Sequence, residues 1–185
     1  MKTLISEEQV REGVTRMAFE INQTYANRPL TIVGVLTGSV VLLADMIRQL
    51  TMPLRVGVVQ ASSYRGATSR GPLVINSDLM PDIANHDVLM VDDIFDTGHT
   101  MAELIQLMEK LGPTSVRTAV LLRKSGQQEV TIQPDFIGFD IPNEFVVGYG
   151  LDYQDEYRNL PFVGALEDED LQRHASRTKR NHDSC

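Results

Sequence analysis

One cysteine stands in the 185 residues, and it is the last of them, Cys185. Neither an intramolecular disulfide nor a cysteine-based metal site can be built from it, and a reducing compartment fits. No apolar run approaches the roughly 20 residues that a membrane-spanning helix needs. Residues 1–5 are followed at once by Ser6-Glu7-Glu8, too polar and too early for the apolar region of a signal peptide. The expectation is a soluble cytoplasmic protein with no membrane partner. Positive charge is also scarce: 17 Lys and Arg against 25 Asp and Glu leave a net charge of −8, which argues against a surface built to hold nucleic acid. Basic residues collect only near the end, where Arg173, His174, Arg177, Lys179 and Arg180 follow the acidic run Glu167-Asp168-Glu169-Asp170. Opposed charge blocks of this kind read as a solvated, mobile tail over 167–185, leaving 1–166 as a single domain. Repeats and low-complexity tracts are missing, and the segment around residues 88–100 holds neither a P-loop nor a dinucleotide fingerprint.

What that segment does hold is Val91-Asp92-Asp93-Ile94-Phe95-Asp96-Thr97-Gly98-His99-Thr100. The preceding Val88-Leu89-Met90-Val91 has the continuous apolar character of a strand buried on both faces, and acids arrive where such a strand emerges from its sheet. Met101, Leu104, Ile105, Met108 and Leu111 then recur at helical spacing until Gly112-Pro113. Residues 96–100 therefore open a helix, where unpaired N–H groups and the positive dipole end favour an anion. Gly98 lets the backbone approach that anion, and Thr97 and Thr100 add hydroxyl donors. Two adjacent acids, Asp92 and Asp93, add nothing to a helix cap. They make chemical sense opposite something positive or hydroxylated, as a phosphorylated sugar with its counter-ion would be.

Elsewhere, Ser6-Glu7-Glu8-Gln9 reads as a capping box, with Ile5 and Val10 as its hydrophobic staple. Val10, Val14, Met17, Ala18 and Ile21 follow on one face of a leading helix. Residues 31–36, 54–60, 88–91, 115–122, 136–139 and 145–147 are strand candidates, 40–50 a helix and 73–75 a returning strand. Residues 62–71 lack apolar anchors and are expected to form a mobile loop. Alternating strands and helices predict an α/β fold on an open, mostly parallel sheet flanked by helices.

The segment 91–100 closely resembles the motif by which type I phosphoribosyltransferases bind phosphoribosyl diphosphate (PRPP): a strand, two acids, two apolar residues, then Asp-Thr-Gly-x-Thr. Leu122-Arg123-Lys124, Ser62-Ser63-Tyr64, Gly138-Phe139-Asp140-Ile141-Pro142 and residues 145–153 are similar to signatures of the hypoxanthine-guanine branch. The resemblance covers roughly residues 5–166. It implies a small hood made from the N- and C-terminal segments, Mg²⁺ as cofactor, and a homodimer or homotetramer. It also implies transfer of the phosphoribosyl group of PRPP to hypoxanthine, with guanine as a second acceptor, giving IMP or GMP and pyrophosphate. A guanine- or xanthine-preferring transferase is the near alternative, and a non-catalytic nucleotide-binding regulator on the same fold is the distant one.

By the same resemblance, Asp96 is the acid/base residue at purine N7, and Asp92 and Asp93 face the ribose hydroxyls and the metal. Asp96, Thr97, Gly98, His99 and Thr100 hold the 5′-phosphate, although His99 falls at a position the family varies. Leu36-Thr37-Gly38-Ser39 matches the pyrophosphate loop, with Arg158 reaching the same group. Many relatives carry Lys or Arg where this chain has Thr37, which leaves more of that contact to backbone N–H groups; the family loop also often contains a non-proline cis peptide. Lys124 donates to the oxygen on purine C6, Phe145 stacks on the base, and Val146 contacts its edge. Asp152 belongs to the purine side and, with Asp92 and Asp93, to the metal. Ser63 and Tyr64 begin a lid.

Overall fold

In the computed structural model, which describes residues 1–66, 69–76, 78–167 and 169–171 (62–75 by backbone alone), six strands form one sheet. Their order is β4(Ser69–Asn76), β3(Leu54–Gly66), β2(Leu30–Leu36), β5(Asp87–Phe95), β6(Ser115–Lys124), β7(Phe136–Ile141). Strands β3, β2, β5, β6 and β7 run parallel, and β4 closes the edge antiparallel to β3. The expected open, mostly parallel sheet is thus present.

Period-two alternation splits the core into two layers. Leu30, Ile32, Leu89, Val91, Ala119 and Leu121 face one way, toward α1(Glu7–Tyr25) and α2(Val40–Ile47). Val33, Val35, Val88, Met90 and Val120 face the other way, toward Met101, Leu104 and Met108 of α3(His99–Glu109). Residues 88–91 are wholly buried because helices cover both faces. At the start of α1, Ser6 Oγ accepts from Gln9 N while Gln9 Oε1 accepts from Ser6 N, the reciprocal pair of a capping box. Ile5 and Val10 are both buried beside it.

The hood is a second sheet, β1(Lys2–Ile5), β9(Val163–Ala165) and β8(Val146–Val147), all antiparallel. It joins the two ends of the fold, as expected. The polypeptide continues from it into a short helical turn at 169–171, and the Met1 ammonium pairs with Glu167 at 2.8 Å and Asp170 at 2.6 Å. Contact with the body therefore runs past 166, while the basic stretch expected as tail lies outside the described residues.

Four expectations need correction. Residues 62–66 and 69–71 are not a loop but the outer part of the β3–β4 hairpin, because an antiparallel edge pair is held by its main-chain ladder and needs no apolar anchors. Helix α2 ends at Ile47 rather than 50, and α3 ends at Glu109, so Leu111 lies beyond it and is 44% exposed. Strand β5 runs on through Phe95 rather than ending at 91, so Asp92 and Asp93 lie within the strand.

Candidate active site

The C-terminal ends of β2 and β5 open into a cavity of about 390 Å³, at the edge of the sheet where ligands enter α/β folds. Leu36, Thr37 and Gly38 form one wall, Asp92, Asp93 and Asp96 the floor, Thr97, Gly98 and Thr100 a second wall, and Asp152 with Arg158 the side facing the hood. Of the residues expected to share a site, those of three distant segments line this cavity, whereas Ser39, His99, Lys124, Phe145 and Val146 do not.

Gly98 caps α3 with φ 88°, and no side chain caps that helix start. A side chain at 98 would collide with Val130 and Phe95, so the positive φ and the crowding both require glycine. His99 is turned away from the cavity: its Nε2 lies 2.7 Å from Glu129, whose N–H donates to the carbonyl of Thr97. Glu129 was not legible as a site neighbour.

The loop after β2 carries a cis peptide between Leu36 and Thr37. Ser39 is fully buried, and its hydroxyl donates to the Val35 carbonyl at 2.6 Å, so it braces the loop from below rather than facing the cavity. Gly38 is clasped on two sides. The Asp93 carboxylate occupies the place a Cβ would take, and the α-carbon of Gly150 rests on the Gly38 carbonyl.

Burial pushes the Asp92 carboxyl well above the usual carboxylate range, and the neighbouring Asp93 charge adds to the shift. Burial raises Asp93 too, partly offset by its hydrogen bonds and by Arg158. Such a pair is short of positive charge. Across the cavity, Arg158 Nη2 meets Asp152 Oδ1 at 3.0 Å and Nη1 donates to the Gly150 carbonyl at 2.8 Å, while Asp152 Oδ2 accepts from Asp155 N–H. Among the described residues no three metal-ligating side chains converge, so Asp92, Asp93 and Asp152 are not a closed cage.

At the rim, Lys124 ends β6 with its ammonium 3.1 Å from Asp96 Oδ2. Val146 is buried in β8, whereas Phe145 is half exposed and meets Tyr153 edge to face at 5.5 Å. The lid candidates Ser63 and Tyr64 fall within β3, and their side chains lie outside the described residues.

The phosphoribosyl transferase domain family matches residues 3–154. A hypoxanthine-guanine phosphoribosyltransferase of Staphylococcus epidermidis is 41% identical over 90% of this chain and 93% of its own. The chain belongs to the hypoxanthine-guanine phosphoribosyltransferases. Solved structures in this group superpose closely. A hypoxanthine-guanine phosphoribosyltransferase of Bacillus anthracis gives a TM-score of 0.86 at 34% identity, covering 90% of this chain and 99% of that one. The hypoxanthine phosphoribosyl transferase of Trypanosoma cruzi gives 0.88 at 35%, covering 95% and 96%. As a phosphoribosyltransferase of this branch, the chain is an enzyme of purine salvage.

Proposed function

We propose that the cavity binds PRPP and that the rim beside it binds hypoxanthine or guanine, giving IMP or GMP and pyrophosphate. The observation that carries this is the side-by-side placement of Lys124 and Asp96, 3.1 Å apart. Purine N7 and the oxygen on C6 are neighbouring acceptors on one edge of the base. An ammonium and a carboxylate set this close match that edge: Lys124 donates to the C6 oxygen, while Asp96 takes or shares the proton at N7 as the bond to ribose forms. Adenine offers an amino donor at C6, which the ammonium cannot accept. Phe145 and Tyr153 offer ring faces and edges to the base, and Val146 offers its backbone.

In this reading the 5′-phosphate sits at the start of α3, against the backbone of Asp96, Thr97, Gly98, His99 and Thr100, where no side-chain cap competes. The pyrophosphate lies between the loop of Leu36, Thr37 and Gly38 and Arg158, with Ser39 bracing the loop. With a neutral side chain at 37, Arg158 is the cation among the described residues lining the cavity. Asp92 and Asp93 take the ribose hydroxyls. The donor set fits Mg²⁺: this ion keeps several waters and binds one or two carboxylates plus substrate phosphates, so an open arrangement of Asp92, Asp93 and Asp152 suits it better than a closed cage. Bound there, it would neutralise charge on the departing pyrophosphate.

We further propose a lid beginning at Ser63 and Tyr64, a cytoplasmic location, a domain ending near 166 followed by a charged tail, and a homodimer or homotetramer. Sedimentation velocity would measure that assembly. The reading as a whole is tested by pyrophosphate release from PRPP with hypoxanthine, guanine, xanthine or adenine, with and without magnesium. Release with the first two, magnesium-dependent and absent with adenine, is the expected result; release led by xanthine would shift the assignment to the near alternative, and none with any base would overturn it.

A further inference from the structure

Outside the cavity, three consecutive residues adopt positive φ: Gly148 at 96°, Tyr149 at 49° and Gly150 at 102°. Tyrosine rarely accepts that conformation, and strain of this kind persists only where the surroundings fix it. The surroundings here are specific. The Tyr149 ring is buried, and its hydroxyl donates to Asp45 Oδ2 at 2.6 Å, on α2. Burial and the Asp45 carboxylate push the phenol well above its usual range, so Tyr149 stays a donor. The turn is then sewn to the following segment by Tyr149 N–H to the Leu160 carbonyl at 2.8 Å and Gly150 N–H to the Arg158 carbonyl at 3.0 Å.

Helix α2 is the element that begins immediately after the Gly38 loop, and Gly150 is the residue whose α-carbon rests on the Gly38 carbonyl. The Gly150 carbonyl in turn receives Arg158, and Arg158 holds Asp152. Asp45 and Tyr149 themselves line a separate outer cleft and do not reach the cavity, whereas Arg158 lines both.

We propose that Asp45 and Tyr149 are positioning residues for the diphosphate end of PRPP, because their hydrogen bond presses the Gly38 loop against Gly150 and so sets its distance from Arg158 and Asp152. The proposal rests on the reading of the cavity as a PRPP site. It requires that losing either partner weaken PRPP more than the base: Phe145 and Val146 precede the same turn, but the Lys124 and Asp96 contacts to the base come from other elements.

The test is PRPP binding by calorimetry with magnesium, alongside KM for PRPP and hypoxanthine, in Tyr149→Phe, Asp45→Ala and the double variant. Each single is expected to weaken PRPP about tenfold or more, the scale of one hydrogen bond to a charged group, with the hypoxanthine KM changing less than twofold. The double variant should bind PRPP no worse than the weaker single, since both remove one interaction. Arg48→Gln, which removes only the exposed 3.5 Å pair with Asp45, should leave PRPP affinity within twofold. Wild-type PRPP affinity in both singles overturns the proposal, as do equal losses for PRPP and hypoxanthine tracking a fall in melting temperature. Failure of the wild-type protein itself to bind PRPP overturns the cavity reading and the proposal together.

Discussion

At the level of single residues, Asp96 and Gly38 carry opposite kinds of constraint. Asp96 is half exposed and held by one ion pair, so Asp96→Asn should leave the fold and PRPP binding in place. Turnover should fall by roughly two or more orders of magnitude, the usual scale of general acid/base work; kcat beside a PRPP binding constant would measure this, and equal turnover would remove Asp96 from the mechanism. Gly38 has no room to change. In Gly38→Ala the new methyl group would displace the Asp93 carboxylate or push the loop off Gly150. Overpacking typically costs roughly 1–3 kcal/mol, and because the displaced groups line the cavity, the loss should register in PRPP affinity more than in the melting temperature. Such contacts are not written in local sequence. Thr37-Gly38-Ser39 reads as any turn, and only the fold brings Asp93 and Gly150 to it. The motif at 91–100 was legible because strand, acids and helix start are contiguous. Lys124 and Arg158 needed the family resemblance to be singled out.

Among the elements, those with a long apolar period were read to within a few residues of their bounds, while short ones were read only in part, as 145–147 and 73–75 were. Helix α1 announced itself through its capping box and its buried face at 10, 14, 17, 18 and 21. The box is expected to contribute about 1 kcal/mol, so Ser6→Ala should lower the unfolding free energy by about that amount in a denaturant titration, with kcat unchanged. Hood strands β1 and β9 have four and three residues, too few to show alternation, and they pair across almost the whole length of the chain. Only the outer part of the β3–β4 hairpin, residues 62–66 and 69–71, escaped, and for another reason. Its sequence from Ser62 to Gly71 lacks an apolar period, and its pairing shows in the main-chain register. The turn proposed to hold the phosphate belongs to two elements at once, since β5 carries the acids and α3 begins just after it, which is why one segment announced both.

For the molecule as a whole, the Asp92–Asp93 pair sets a cost that depends on pH. Both carboxyls have folded-state values raised above their unfolded ones, so the native state binds more protons than the unfolded state between those limits. Their favourable contribution is complete below the unfolded carboxylate value of about 3.9 and is lost as pH rises through the folded values. Asp140 works in the opposite sense: Arg123 holds it low, so its contribution is present above its unfolded value and is lost as pH falls. Comparing melting temperatures of wild type and Asp92→Asn across pH isolates the buried pair, since Asp140 is common to both. The curves should lie close together near pH 4 and separate in favour of Asp92→Asn toward neutrality, in the absence of magnesium and PRPP. A constant offset at every pH would mean that the pair carries no titration-linked cost.

Lys124 and Asp96 touch each other at 3.1 Å, so in the proposed reading one contact ties base choice to proton handling. On that reading, a neutral residue put at position 124 to widen the range of accepted bases would also strip Asp96 of its counter-charge. A redesign aimed at a 6-amino acceptor would therefore have to supply a new neighbour for Asp96 in the same step. In the proposed reading, selectivity and proton handling are one inherited unit rather than two adjustable dials.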